Sequence, residues 1–253
     1  MTIAVIDYGM GNLHSVAKAL EHVTHENVVV TRDPRRIRGA TRLVLPGQGA
    51  IRDCMGELER TELRGLVEEL LASQSKPLLG ICVGQQMLLD RSEENGGIDC
   101  LGFIGGQVKR FPAEMRDDHG QRLKVPHMGW NLVHQHRDHP LWAGIDQDEH
   151  FYFVHSYYVE AAEDASVFGT TDYGRVQAHV ATGRELRENC VIWAPWAAPG
   201  QLGTLSPTTT FNRGPLRHPR GAGHAGDSRH RSQGRPVRAP EAGPHGRGHH
   251  LRR

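Results

Sequence analysis

The stretch PLLGICVGQQMLL, residues 77–89, constrains this chain more than any other. Pro77 to Ile81 is a compact apolar run after a Lys-Pro break, the length of a buried strand and too short for a helix of its own. Cys82 ends the run, and Val83-Gly84 begins a turn into a helix carrying Gln85, Gln86, Met87, Leu88 and Leu89. A cysteine at a sharp strand-to-helix turn is a nucleophile elbow. The turn lifts the side chain above the sheet, and Gly80 and Gly84 permit the tight backbone approach it needs. The start of the following helix offers unpaired N–H groups and partial positive charge, which favour thiolate over thiol. The competing reading is a small buried hydrophobe, the usual fate of a lone cysteine.

Around this stretch the chain alternates strands and helices. Residues 2–7, TIAVID, form a first strand, DYGMGN a glycine-rich loop, and from Leu13 the apolar residues Val16, Ala17, Leu20 and Val23 keep helical spacing. Strand, glycine loop and helix suggest a dinucleotide site, but the third glycine of that fingerprint is missing, and a loop at the carboxyl edge of a parallel sheet is the better reading. NVVV (27–30) and RLVL (42–45) read as further strands. The second runs into Pro46-Gly47-Gln48-Gly49-Ala50, a turn whose backbone N–H groups can face an anion. Alone it is simply a tight turn, but beside a nucleophile on a neighbouring strand it supplies what a developing oxyanion requires. TELRGLVEELLA (61–72) is amphipathic, with Leu63, Leu66, Val67, Leu70 and Leu71 on one face. The fold class that follows is α/β, a mostly parallel sheet flanked by helices.

After Asp99 the pattern changes to an antiparallel or mixed extension. Its strands are GFIGGQVKRF (102–111), KVPHMGWNLV (124–133) and the aromatic-rich FYFVHSYYVE (151–160), with a surface loop over 112–122. His127 and His155 are candidate acid–base groups, although a satisfied structural histidine is the commoner fate.

Length, charge and cysteines bound the rest. The 253 residues hold one sizeable α/β domain or two small ones. The net charge of +1 hides two unlike parts: from Arg175 onward there are 13 arginines, no lysine and 4 acidic residues, a balance of +9 that leaves −8 for the first 174 residues. Cys54, Cys82, Cys100 and Cys190 show no CxxC or metal spacing, and no apolar run is long enough to span a bilayer. A cytoplasmic chain with no metal and no membrane partner is expected.

Taken together, DYGMGN (7–12), LPGQGA (45–50), GICVGQQML (80–88), KVPHMGWN (124–131) and FYFVHSYY (151–158) resemble the class I glutamine amidotransferases, which are flavodoxin-like. More closely, they resemble the branch that serves as glutaminase subunit of imidazole glycerol phosphate synthase. The resemblance runs from the N-terminus to about Gly174. It implies that Cys82 attacks the side-chain amide of glutamine, forms a γ-glutamyl thioester and releases ammonia, without a cofactor. It places oxyanion and substrate contacts at Gly47, Gln48, Gly49, Val83 and Gln86. It places partner-facing or substrate-side positions at Tyr8, Gly9, Asn12, Pro126, His127, Met128, Gly129, Trp130, Asn131, His155, Ser156 and Tyr157. The implied partner is a (βα)₈-barrel cyclase subunit in a heterodimer of histidine biosynthesis.

The same family carries a histidine base and an orienting glutamate on a late FHPE motif, and this chain contains no HPE. The nearest candidate, His218-Pro219, is followed by Arg220. An arginine-rich tail can bind nucleic acid, but another explanation fits better. Residues 224–251, back-translated and read one nucleotide later, can begin MLVIPAIDL, which resembles the start of the isomerase acting one step earlier in the same pathway. Two domains are therefore expected: an amidotransferase domain over 1–174, and a disordered tail over 175–253 that is the product of a shifted reading frame. The alternative to an active glutaminase is a subunit that docks on the cyclase but is catalytically dead.

Overall fold

In the computed structural model, residues 1–182 and 190–193 are described. The first half builds the parallel core. β1 (Thr2–Ile6) pairs in parallel with β2 (Asn27–Thr31) and with β3 (Arg42–Gly47), and β3 pairs in parallel with β4 (Leu78–Cys82). These are the four expected strands, and each of β1, β3 and β4 is an apolar run buried on both faces. Four helices intervene. α1 (Leu13–Val23) starts where the Asn12 side chain accepts the Ser15 N–H at 3.2 Å, and it buries Val16, Ala17, Leu20 and Val23 as the spacing predicts. α2 (Pro34–Gly39) is capped by Asp33, and α4 (Arg64–Ser73) presents Leu66, Val67, Leu70 and Leu71 to the core. α3 (Ile51–Arg60), which sequence reading did not place, buries Ile51, Cys54, Met55 and Leu58 at helical spacing.

The helix after Cys82 is shorter than expected. α5 is a single turn, Val83–Gln86. The chain then tightens, and the segment 101–104 folds back to satisfy it: the N–H groups of Leu101 and Gly102 bind the carbonyls of Met87 and Leu89, and those of Phe103 and Ile104 share the carbonyl of Leu88. A longer helix would have to give up these bonds and the full burial of Met87, Leu88 and Leu89.

The remaining strands form the extension and a second sheet. β5 (Arg91–Ser92), β6 (Ile98–Asp99) and β7 (Gly106–Arg110) are short, and β8 (His127–Gln135) is long. The segment 151–160 is not one strand. It divides at Ser156 into β9 (Glu149–His155) and β10 (Tyr157–Ala161), which belong to different sheets. Beyond them lie β11 (Val167–Tyr173), β12 (Val176–Thr182) and β13 (Cys190–Trp193). The large sheet has the order β2-β1-β3-β4-β13-β12-β11-β8-β9, parallel up to β13 and antiparallel from there, and the small sheet has the order β10-β7-β5-β6.

The boundary expected at Gly174 therefore does not end the sheet. Gly174, at φ 62°, turns β11 into β12. Ala178 and Val180 of β12 are in the core, and β13 pairs in parallel with the cysteine-bearing strand β4. The disorder expected of the tail falls otherwise on residues outside those described.

Three glycines set the spacing at the centre. A Cβ at Gly47 would fall 2.8 Å from the Val83 carbonyl carbon, one at Gly80 would fall 2.9 Å from the Gln85 Cα, and one at Gly84 would overlap the Leu45 carbonyl oxygen. By contrast, Gly56 within α3 faces open space. Gly84→Ala is expected to cost about 3 kcal/mol or more, because the obstacle is backbone. Gly56→Ala should stabilise by roughly 0.5–1 kcal/mol. Urea unfolding of the two variants checks both signs.

Candidate active site

Cys82 stands where the strand ends, with φ 57° and ψ −119°, a backbone conformation that a side-chain-bearing residue adopts only when the surroundings impose it. The imposition is visible: β3 and β13 hold β4 from both sides, and α5 begins at the next residue. The sulfur is half-buried. Burial pushes its pKa up, the Val83 backbone N–H pulls the other way, and the nearby Cys54 adds a smaller push upward. The expected preference for thiolate at the helix start is thus outweighed: α5 is only one turn, and desolvation of the charge dominates.

Gly47 is paired with Cys82 across the β3–β4 ladder, and Gly47, the first residue of the Gly47–Gly49 turn, lies directly against the Val83-Gly84 peptide. Gln86, one turn along, is half-buried and donates its Nε2 to the Tyr157 carbonyl at 3.4 Å. Cys82, Gly47, Val83 and Gln86, with Tyr157 bonded to Gln86, are in this way brought together from β3, β4, α5 and β10, and Gln48 and Gly49 follow Gly47 in the chain. Two expected members are placed differently. Tyr8 is fully buried, with its hydroxyl donated to the Pro46 carbonyl at 2.7 Å, so it cannot face a partner. Asn12 spends its side-chain oxygen on the α1 cap, while Gly9 is exposed beside Asp7, whose carboxylate accepts its N–H at 3.1 Å.

His127 and His155 form a pair of their own. The His155 Nδ1 lies 2.9 Å from the Tyr157 carbonyl, which can only accept, so that nitrogen carries the proton. Its Nε2 is then the acceptor for the His127 Nδ1–H at 3.0 Å, and the His127 Nε2 faces the Asn131 amide at 3.4 Å. Both rings are neutral. Burial lowers each pKa to about 4, and for His127 the neighbouring His155 adds to the shift. Around them, Tyr173 stacks on His127 at 3.9 Å, Phe153 at 4.8 Å, and Phe111 meets His155 edge-on at 5.1 Å. These histidines are structural. Among the described residues, their hydrogen bonds lead toward the site through the Tyr157 carbonyl that Gln86 also uses.

The opposite face of the same hairpin is exposed. Met128 pairs with Val154 and Trp130 with Tyr152; Met128 and Trp130 are each 60% exposed, and Leu132 continues the row. Gly129, Pro126 and Ser156 are half-buried at its margins.

Among the described residues no histidine hydrogen-bonds the Cys82 thiol. β13 ends with Trp193 beside Ile81, one residue short of the level of Cys82, and the sequence continues Ala194-Pro195-Trp196, outside the described residues, as is His218.

Residues 4–186 match the glutamine amidotransferase class-I family, and the chain belongs to it. Within that family it groups with the HisH subunits of imidazole glycerol phosphate synthase. It is 58% identical over 173 residues to the one from Pseudomonas syringae pv. syringae, covering 68% of this chain and 80% of that protein. It is also 58% identical over 212 residues to the one from Nitrosospira multiformis, covering 76% and 98%. Among solved structures, a chain of PurLQS from Thermotoga maritima shares the fold, with a TM-score of 0.54 at 15% identity over 77% of this chain and 86% of that one.

The neutral histidine pair generates a stability prediction. Its folded pKa values lie below the ordinary 6.5, so below that pH the unfolded chain binds protons that the folded chain does not. Stability should be level above about pH 6.5 and fall by a few kcal/mol on the way to about pH 4. Replacing both histidines with glutamine should flatten that decline in urea unfolding measured across the range, and an unchanged slope would refute the assignment.

Proposed function

We propose that this chain hydrolyses glutamine and supplies the ammonia to a cyclase subunit in histidine biosynthesis, in the cytoplasm. The observation that carries the reading is Cys82 on a strained elbow, with Gly47 at the start of the Gly47–Gly49 turn paired beside it and pressed against the Val83-Gly84 peptide. The thiolate adds to the γ-carbonyl carbon of glutamine. The negative charge that forms on oxygen is met by N–H groups of the turn and of Val83. The C–N bond then breaks, ammonia leaves with a proton from solvent, and water hydrolyses the γ-glutamyl thioester to glutamate. Gln86, which can exchange its bond to the Tyr157 carbonyl for the substrate, holds the glutamine.

Where no base outside the described residues reaches the sulfur, the thiolate forms through solvent. Glutamine hydrolysis should then rise by about tenfold per pH unit from neutrality toward the raised pKa of Cys82, and Cys82→Ser should abolish it. A plateau near neutral pH would instead mean that a base outside the described residues reaches the sulfur. Cyclase turnover that runs on added ammonia and never on glutamine would overturn the reading in favour of a docking subunit.

The partner, by this reading a (βα)₈-barrel cyclase, docks on the exposed row of Met128, Trp130, Leu132 and Val154. An unpaired apolar face on an edge hairpin, with an aromatic at its centre, has the composition of an interface core. Trp130→Ala is expected to weaken binding to the cyclase by roughly 30-fold, about 2 kcal/mol, by titration calorimetry, while leaving the unfolding midpoint of the isolated chain unchanged.

A further inference from the structure

The loop DYGMGN and the helix α3 both lean on the turn beside Cys82. β3 lies between β1 and β4 in the sheet. The Tyr8 hydroxyl, from the end of β1, donates to the Pro46 carbonyl at 2.7 Å. In a trans peptide the N–H points opposite to the C=O, so holding the Pro46 carbonyl toward β1 turns the Gly47 N–H toward β4 and Cys82. Two residues on, the Cys54 thiol of α3 donates to the Gln48 carbonyl at 3.4 Å, which fixes the plane of the Gln48–Gly49 peptide and with it the Gly49 N–H. The loop fills the remaining space: a Cβ on Gly11 would lie 3.2 Å from the Pro46 Cβ, and one on Gly49 would meet the Met10 methyl at 3.8 Å. Tyr8 is 0% exposed, Cys54 is 0% exposed, and burial above all raises both of their pKa values, so each remains a protonated donor.

We propose that Tyr8 and Cys54 are positioning residues for the anion-binding turn, each locking one peptide plane so that the N–H groups face the oxygen that becomes charged when Cys82 is acylated. The inference rests on the glutaminase reading and deepens it. Their effect is confined to the transition state, because the ground-state carbonyl carries little of the charge the turn is built to meet.

The test separates two reactions of the same sulfur in the full-length chain at alkaline pH. With the γ-(4-nitrophenyl) ester of glutamate, the thiolate adds to the carbonyl, the C–O bond breaks, and 4-nitrophenolate leaves. Its absorbance gives the rate, and peptide mass spectrometry locates the thioester on Cys82. With iodoacetamide, the thiolate displaces iodide and no oxyanion forms. Tyr8→Phe should slow acylation by roughly tenfold or more while changing Cys82 alkylation less than about twofold. Cys54→Ala should show the same split, and Cys54→Ser, which keeps a donor, should restore acylation. If Tyr8→Phe does not fold, the Cys54 pair of variants decides. Equal slowing of both reactions, or none of either, overturns the inference. Failure of the unsubstituted chain to acylate while it still alkylates overturns the glutaminase reading itself and the inference with it.

Discussion

The site depends on how closely β3 and β4 approach the turn that follows Cys82. Gly47, Gly80 and Gly84 leave no room for a methyl group between the Leu45–Gly47 backbone and the peptides of Val83 to Gln85. That contact brings the Gly47 backbone to the level of Cys82, beside the Val83 N–H at the sulfur. It also lets Cys82 keep a positive φ, since the cost of the strained residue, of order 1–3 kcal/mol, is offset by parallel ladders on both sides of its strand. Packing of the hydrophobic layers around it, from Ile3 and Val5 on one face to Leu45 and Leu58 on the other, serves to keep this one separation fixed.

A second theme is the division of labour along the β8–β9 hairpin. One face is aromatic and dry and holds two neutral histidines in a directional chain of hydrogen bonds that ends on the Tyr157 carbonyl. The other face is open and apolar. Because side chains alternate along a strand, His127 and Met128 are adjacent in sequence and opposite in environment. Gln86 touches the same carbonyl as His155, so the helix after Cys82 and the β8–β9 hairpin share an acceptor.

Much of this was legible in the sequence. The buried strands β1, β3 and β4 read directly because continuous apolar runs bounded by glycine and proline have few alternatives, and the elbow at Cys82 followed from its glycines. Where local pattern competed with tertiary contacts, it lost. The helix after Cys82 is cut to one turn by the returning segment 101–104. The run 151–160 is uniformly β-forming, and nothing local marks Ser156 as the point where the chain changes sheets. α3 was missed because Arg52, Asp53, Gly56 and Glu57 mask a sound spacing of Ile51, Cys54, Met55 and Leu58. β12 was obscured by the arginine-rich composition beyond it, although the alternation of Val176, Ala178 and Val180 was there to be read. Tyr8 looked like a surface residue because it sits in a polar, glycine-rich loop; only the position of Pro46 shows why it turns inward.

The strand that bears Cys82 has neighbours from very different parts of the chain. On one side is β3, about thirty residues earlier; on the other is β13, whose first residue comes more than a hundred later. During synthesis β4 therefore has one bare edge until Cys190 to Trp193 emerge, after β5 to β12 have already been made. A central strand closed by so distant a partner gives the fold a high contact order and a slow last step. For that interval the nascent chain carries an unpaired apolar edge beside an uncovered thiol, an opening for strand addition from a neighbouring copy and for adventitious oxidation.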